Sequence, residues 1–454
     1  VLSNLGNFYY RRGERSLALE HFQRGLAIFK SQRDLEGAME MQASIDMIKA
    51  SRGDMLPSVE DYQKQLMKLE EGGDLSGQAE VLGAMGSAYA DRCQWDKALS
   101  AYNDSLALFE KVGEIYSQAE TLFNMALVHK DKGDLARAVQ LFEMSQKIFQ
   151  NLNAVPRIAL VMLNLGNILG IKGQCIDAEK LFGEALKVLE GLGAIPDLCE
   201  GYLTFAIYQI HQGRSLEARF YLSQAQTLIR STDYQPLNIQ FHNAQGELYL
   251  KEKLFIEAES SFEKALALAR RHSNLYEEAK ACANLGRLAL DKMDNQEAMA
   301  KLKLALATFS RIGAMFDVIT IYHDLTGLFL GQGDYVRAEE MAVLELRQAR
   351  LLGYPDLCIK ALTDLADCEA HTGRVMEAKS DYVFALRLAR EESETVPLST
   401  RHSLLCKLID FLETARTCHE EDLLLSNMRE KLQKGNYGEV LEELSGPLEC
   451  KKIG

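Results

Sequence analysis

The sequence contains few residues that interrupt helices and no segment suited to a membrane. Proline accounts for 7 of its 454 residues and tryptophan for 1, as expected of a largely helical chain. No apolar run is long enough to span a bilayer, and no signal peptide is visible. The composition therefore predicts a helical protein without membrane insertion.

Paired cysteine motifs are also missing. The 9 cysteines include no Cys-x-x-Cys, their number is odd, and Cys93, Cys282 and Cys368 fall where a helical core is expected. Cysteines used in this way are typical of a reducing compartment. We therefore expect reduced thiols and a cytoplasmic location.

The chain lacks an excess of positive charge. Its 51 lysines and arginines are outnumbered by 65 acidic residues, for a formal net charge of -14. Binding to nucleic acid needs basic patches that displace phosphate counterions, and docking on anionic membranes needs similar ones. We therefore expect protein or peptide partners and no nucleic acid.

Local catalytic and metal-binding motifs are absent. The 9 histidines are scattered without His-Glu-x-x-His, and no Gly-x-Ser-x-Gly or Walker-type sequence occurs. These absences predict a protein that is not an enzyme, with no catalytic residue, metal or cofactor.

What the chain does contain is a repeat of 40 residues. One column marks a turn, at Gly13, Gly53, Cys93, Gly133, Gly173, Gly213, Lys253, Met293, Gly333 and Gly373. Five residues later stands a column of small residues, at Ala18, Ser58, Ala98, Ala138, Ala178, Ala218, Ala258, Ala298, Ala338 and Ala378. Such a period indicates a solenoid whose units bury their apolar faces against their neighbours.

Each unit has the pattern of two helices. In the unit from 274 to 312, Asn274 and Glu277 form a start that resembles a capping box. The first helix should end near Met293, and the second should begin at about Gln296. Small residues on both helices would let the two backbones approach closely.

The unit resembles the tetratricopeptide repeat. The residues that match include Leu5, Gly6, Tyr9, Gly13, Ala18 and Phe22, and again Leu165, Gly166, Ala178, Phe182 and Ala185. The usual unit has about 34 residues, and the longer unit here is similar to that of the Pins-type cell-polarity adaptors and the kinesin light chains. The resemblance implies an all-α fold, an α-solenoid superhelix of about ten helix hairpins.

Three segments are predicted along the chain. Residues 1–392 would form the solenoid, 393–434 a capping helix pair, and 435–454 a short helix with a loose tail. Within the pair, we expect helices over 404–417 and 420–431. The ninth unit has Ala342 and Glu345 in apolar columns, which predicts either looser packing there or polar groups that face a partner.

The resemblance also implies that one column of the first helices lines a concave groove. That column includes Asn124, Asn164, Asn284, Asp324 and Asp364. Asparagine both donates and accepts hydrogen bonds and so suits the backbone of an extended peptide. The alternative is that these residues are ordinary solvated helix positions.

Neighbouring columns carry opposite charges in the two halves of the chain. Glu80 and Glu120 lie in the first half, and Lys251, Lys280 and Arg287 lie in the second. We expect these residues to contribute to peptide binding, with an acidic and a basic end that orient a charged partner. The alternative is ordinary decoration of a solvated surface.

Together these features predict a non-catalytic scaffold that binds extended or helical segments of partner proteins in a concave groove. A different class is a regulatory or sensor module of a longer protein, because the sequence begins at Val1, without Met, inside a helical pattern. A third hypothesis is a structural spacer in a larger cytoskeletal or ciliary assembly, which would use its outer face.

Overall fold

The computed structural model describes residues 2–11, 14–32, 37, 41–42, 44–45, 48, 59–231, 235–392, 396, 398–414, 428–434 and 440, and in these residues it contains helices but no strand. The helices that can be bounded are α1 (Leu2–Arg11), α2 (Arg15–Gln32), α3 (Val59–Gly72), α4 (Leu75–Asp91), α5 (Trp95–Val112), α6 (Ile115–Lys132), α7 (Leu135–Asn151), α8 (Val155–Ile171), α9 (Cys175–Leu192), α10 (Ile195–His211), α11 (Ser215–Ser231), α12 (Gln235–Lys251), α13 (Phe255–Arg271), α14 (Leu275–Asp291), α15 (Asn295–Ile312), α16 (Met315–Gly331), α17 (Tyr335–Leu352), α18 (Pro355–His371), α19 (Val375–Glu391) and α20 (Leu398–Thr414). The fold is an all-α solenoid of helix hairpins, as predicted.

The turn between the two helices of a repeat needs a left-handed backbone conformation. Gly133 has a φ of 89° and Gly333 one of 74°. Cys93, Lys253 and Met293 stand in the same column and adopt φ values of 54°, 61° and 61°. For residues with a Cβ, this conformation is less stable by roughly 1–2 kcal/mol, which explains why glycine dominates the column.

Side-chain caps mark several helix starts. The Asn274 side chain accepts a hydrogen bond of 3.0 Å from the backbone amide of Glu277, as the sequence predicts. Asp134 and Asp334 cap α7 and α17 in the same way. These bonds satisfy amides that have no partner within the helix.

The small-residue columns lie where paired helices cross. A Cβ added at Gly246 of α12 would lie 2.5 Å from Cε1 of Phe262 on α13, and one at Gly86 would lie 2.7 Å from the Tyr102 ring. Phe262 and Ala258 are completely buried. The large aromatic residue of the second helix therefore packs directly on the backbone of the first.

The chain divides into two compact units. The first consists of residues 1–168, 176–288 and 311–313, and the second of residues 169–175, 289–310 and 314–454. In the second unit, α20 adds Leu404, Leu405 and Leu408 to the core around Tyr382 of α19.

The α20 helix begins six residues before the predicted start at 404, and residues 428–433 are helical. Residues 420–427 and, except for Val440, 435–454 lie outside the described part.

The first unit also makes contacts between repeats that are far apart in sequence. The backbone of Tyr276 lies near enough to Cys93 to oppose, in part, the increase that burial causes in the pKa of its thiol. Trp95 is buried, and a Cβ added at Gly313 would lie 3.6 Å from its Cδ1. The sequence alone suggested that each repeat contacts only its neighbours. In the first unit, further contacts join repeats that are several units apart.

Two chemical expectations can be compared with the described residues. The cysteines among them form no disulfide. None of the described helices is both long enough and apolar enough to cross a lipid bilayer.

Candidate binding surface

The predicted asparagine column lies on the first helices of the repeats, in two different environments. Asn124 on α6 is half-buried, and its side chain has no hydrogen-bond partner among the described residues. Asn164 on α8 is 7% exposed; its Nδ2 donates to the Leu160 carbonyl at 3.0 Å, and its Oδ1 accepts from Lys130 Nζ at 2.8 Å. Asn124 therefore keeps its full hydrogen-bonding capacity, whereas Asn164 keeps part of it.

Asn284 belongs to a polar cluster that joins α10, α12 and α14. Its Nδ2 donates to Glu247 Oε1 at 3.1 Å, and its Oδ1 accepts from Arg287 at 3.1 Å. Lys280 Nζ lies 3.7 Å from Glu247 Oε1, and His211 Nε2 lies 3.6 Å from Glu247 Oε2. Two of the predicted residues, Asn284 and Lys280, thus contact the carboxylate of Glu247, which was not predicted, and Arg287 joins them through Asn284.

The partners of Glu247 decide its charge. Burial opposes its ionisation, but Lys280, His211 and Asn284 outweigh that effect and hold the pKa of Glu247 well below its usual range. Lys251, in the last turn of α12, is exposed; burial lowers the pKa of its ammonium group, and Glu247 partly opposes this shift. Lys280 is therefore the lysine that pairs with Glu247, and Lys251 remains accessible to solvent.

Glu120 forms a second link between first helices. Arg157 Nε of α8 lies 2.6 Å from Glu120 Oε1 of α6. Burial raises the pKa of Glu120, and Arg157 limits that increase. Glu80 lies half-buried on α4. The acidic column of the first half is thus partly neutralised by a basic residue of the next repeat.

Some ionisable side chains of the first unit are both accessible to solvent and surrounded by protein. Glu200 on α10 is exposed, yet burial raises its pKa, and Lys130 lowers it in part. Asp131 is half-buried, and burial raises its pKa as well. Water thus reaches these side chains while protein atoms replace much of the solvent around them.

The second unit contains the two aspartates of the column. Asp324 on α16 is half-buried. Asp364 on α18 is 4% exposed, and its Oδ2 lies 2.6 Å from His323 Nδ1 while its Oδ1 accepts from Lys407 Nζ at 3.0 Å. Burial opposes ionisation of Asp364, but His323 and Lys407 keep its pKa below the usual range.

A cavity of about 150 Å³ lies beside Asp364. It is lined by His323, Lys360, Thr363, Asp364, Thr400, Ser403, Leu404 and Lys407. Glu345 of α17 does not line the cavity, but its Oε1 lies 3.6 Å from Nδ1 of His323, which does. Burial raises the pKa of Glu345 to about 7, although His323 favours its ionised form. Glu345 is buried rather than loosely packed, and it faces other polar side chains.

Most of these contacts join a predicted residue to a partner that was not predicted. Glu247 shares its column with Arg287, and Lys130, Arg157 and Lys407 occupy positions with no obvious periodic signal. A column of similar residues shows that these residues occupy the same face of their helices. It does not show which residue of the next repeat each one contacts, because that residue stands at a different position in its repeat.

An α-solenoid of helix hairpins is typical of a class of repeat proteins that generally serve as non-catalytic scaffolds. Three family profiles described as "Tetratricopeptide repeat" match residues 77–151, 1–31 and 239–272. The chain therefore contains tetratricopeptide repeats, as the resemblance of its unit implied. No curated protein sequence matches it significantly.

Solved structures similar to the chain share its fold at low sequence identity. A Rap protein complexed with competence and sporulation factor has a TM-score of 0.59 and 15% identity, over 78% of this chain and 97% of that one. The Rap conjugation gene regulator of plasmid pLS20, in complex with the Phr* peptide, has a TM-score of 0.51 and 16% identity, over 78% and 96%. A signal transduction ATPase from Pyrococcus horikoshii with a tetratricopeptide repeat sensor has a TM-score of 0.50 and 14% identity, over 95% and 74%.

Proposed function

We propose that the chain is a non-catalytic scaffold that binds extended or helical segments of partner proteins on the concave wall of its first unit. The observation that carries this proposal is the set of enclosed but accessible side chains on two first helices, α6 and α10. Glu200 and Asp131 combine accessibility with a raised pKa, and Asn124 offers an amide without a partner among the described residues. Such groups have interactions left to make with a ligand.

The chemistry of this wall suits recognition of a peptide backbone with some selectivity for charge. The Asn124 amide can donate to one peptide carbonyl and accept from a peptide amide. Asn164 and Asn284 are already hydrogen-bonded, so their proposed contribution uses their remaining donor and acceptor positions. Arg287 and Lys251 would attract acidic groups, while Glu80 and Glu120 would attract basic ones.

The similar structures support binding of this kind. One Rap protein was solved with competence and sporulation factor and another with the Phr* peptide. Their folds match the chain over more than three quarters of its length, 78% in both cases. A peptide-sized ligand held by several repeats is therefore the partner class that we propose here.

Selection from a displayed library of random linear peptides tests the proposal. We expect the intact chain to enrich a related group of sequences. For a synthesised member of that group, Asn124→Leu should weaken binding at least about tenfold, or about 1.4 kcal/mol, because it places an apolar group against peptide polar groups.

Glu184→Leu is the matched control, since Glu184 is exposed on α9, a second helix of its repeat. We expect it to leave the affinity within about twofold. Equal binding by Asn124→Leu and the wild type would contradict the proposed surface. A peptide whose affinity falls only with Glu184→Leu would assign recognition to the second helices.

A regulatory or sensor module of a longer protein is the second candidate. The Pyrococcus horikoshii protein has a tetratricopeptide repeat sensor as part of an ATPase with several domains. Determination of the complete reading frame tests this candidate, because it predicts an effector domain in the same polypeptide. A reading frame that encodes repeats alone would leave the scaffold as the supported function.

A further inference from the structure

Three helices of the second unit bring together three side chains that are common metal ligands. They are His323 of α16, Glu345 of α17 and Asp364 of α18, and one ligand atom from each lies within 4.8 Å of the others. His323 Nδ1 is 2.6 Å from Asp364 Oδ2 and 3.6 Å from Glu345 Oε1. Consecutive helices of the solenoid thus supply one nitrogen and two oxygen ligands.

The environment of Glu345 is the second and independent observation. The side chain is 1% exposed, and neither of its carboxylate oxygens has a hydrogen-bond partner among the described residues. A buried carboxylate in that state carries a large desolvation cost. Buried charges in proteins are normally paired or bound to metals, and this carboxylate has only a loose ion pair with His323, at 3.6 Å, to offset its burial.

The charges around the cluster favour a cation of charge +2. Glu345, Asp364 and Asp367 contribute three negative charges, and Lys407 contributes one positive charge through contacts of 3.0 Å with Asp364 and 2.7 Å with Asp367. Lys360 is paired with Asp356 at 2.8 Å. With a neutral imidazole, as in a metal-bound histidine, the cluster has a net charge of -2, which one divalent ion neutralises.

The geometry requires only a small adjustment. Bonds of about 2.0–2.2 Å to a tetrahedral ion place neighbouring ligand atoms about 3.3–3.6 Å apart. The 3.6 Å separation already fits, and the 2.6 Å separation opens when the His323 side chain, which is 46% exposed, rotates. Lys407 occupies Asp364 Oδ1, so it can orient the carboxylate from behind while Oδ2 binds the ion.

We propose that His323, Glu345 and Asp364 form a binding site for a divalent transition metal, with Zn²⁺ as the best-fitting ion. One nitrogen and two carboxylate oxygens suit Zn²⁺ better than Ca²⁺ or Mg²⁺, which take oxygen ligands alone. The fourth position faces the cavity, where the buried Thr400 Oγ1 has no partner among the described residues. Water or a small carboxylate can complete the coordination there.

Metal content and affinity of the intact chain provide the test. The protein is incubated with Zn²⁺, and excess ion is removed by gel filtration. Elemental mass spectrometry should then find one more bound Zn²⁺ per chain in the wild type than in Glu345→Gln. Competition with a chromophoric chelator should show at least about tenfold weaker binding for Glu345→Gln and for His323→Gln. Excess Ca²⁺ should not displace the ion.

Cys406→Ser is the matched control, because Cys406 Sγ lies 3.6 Å from His402 Nε2 and offers an alternative ligand pair on α20. This variant should bind Zn²⁺ like the wild type. Circular dichroism verifies that each variant is folded, and the half-exposed His323→Gln serves if Glu345→Gln does not fold. No stoichiometric Zn²⁺ in the wild type, unchanged binding by the folded ligand variants, or a loss that follows Cys406→Ser would each overturn the proposal.

Discussion

Two glutamates, one partly buried in the first unit and one buried in the second, have opposite electrostatic states. Glu247 of the first unit has Lys280, His211 and Asn284 around it, and its pKa lies well below the usual range. Glu369 of the second unit is 8% exposed, its Oε2 has no hydrogen-bond partner among the described residues, and Arg374 is 3.9 Å from its Oε1. Burial, together with Asp381, raises the pKa of Glu369 to about 7.

The comparison shows that the repeat pattern controls burial but not charge. Both residues lie on first helices, α12 and α18, and both are withdrawn from water. Their pKa values diverge because the next repeat supplies a lysine beside Glu247, whereas acidic residues outnumber arginine near Glu369. Solenoids with similar backbones can thus present a stably charged surface in one unit and a proton-dependent one in another.

The largest effect should come from removing the cation beside Glu247. We expect Lys280→Met to lower the free energy of unfolding by about 2–3 kcal/mol, because it leaves a largely buried carboxylate with weaker compensation. Urea unfolding at neutral pH, followed by circular dichroism, measures the change.

Lys264→Met on α13 is the control, since Lys264 is exposed and its removal changes the net charge equally. A similar loss in both variants would mean that net charge, and not the contact with Glu247, stabilises the first unit.

An intermediate and pH-dependent effect is expected for Glu369→Gln. The folded-state pKa of about 7 exceeds the reference value of 4.5, so the wild type loses stability as pH rises from 4.5 to 7. Arg374 opposes this loss, while Asp381, Glu339 and Glu377 add to it. The neutral amide should gain about 1–2 kcal/mol over the wild type at pH 8 and little at pH 4.5.

Thermal or urea unfolding of the two proteins across this pH range measures the difference. A stability difference that does not vary between pH 4.5 and pH 8 would show that Glu369 does not take up its proton in that interval.

The smallest effect is expected for Lys251→Gln. Lys251 lies on the same helix as Glu247 but is exposed, and burial lowers the pKa of its ammonium group more than Glu247 raises it. The free energy of unfolding should change by less than about 0.5 kcal/mol. A loss as large as that of Lys280→Met, measured under the same conditions, would show that both lysines stabilise Glu247.

The sequence was most informative where its residue pattern repeats every 40 residues. The helical hairpins, the tight crossing at Gly246 and the cap at Asn274 follow from local rules, and the structure agrees with each of them. The roles of Asn124, Asn164 and the charged columns in peptide binding stay predictions. Asn164 and Asn284 illustrate the limit, because a shared column did not reveal that Lys130 and Glu247 already bond to them.

The amino-acid sequence by itself determined the repeat, because side-chain size and backbone propensity act over a few residues and recur with each hairpin. The tertiary structure alone decided which polar groups meet. His323 and Asp364 are 41 residues apart, and Glu345 comes from the helix between them. Their contact depends on how each helix is oriented against the next. That orientation is set when the repeats stack, so it cannot be read from any single repeat.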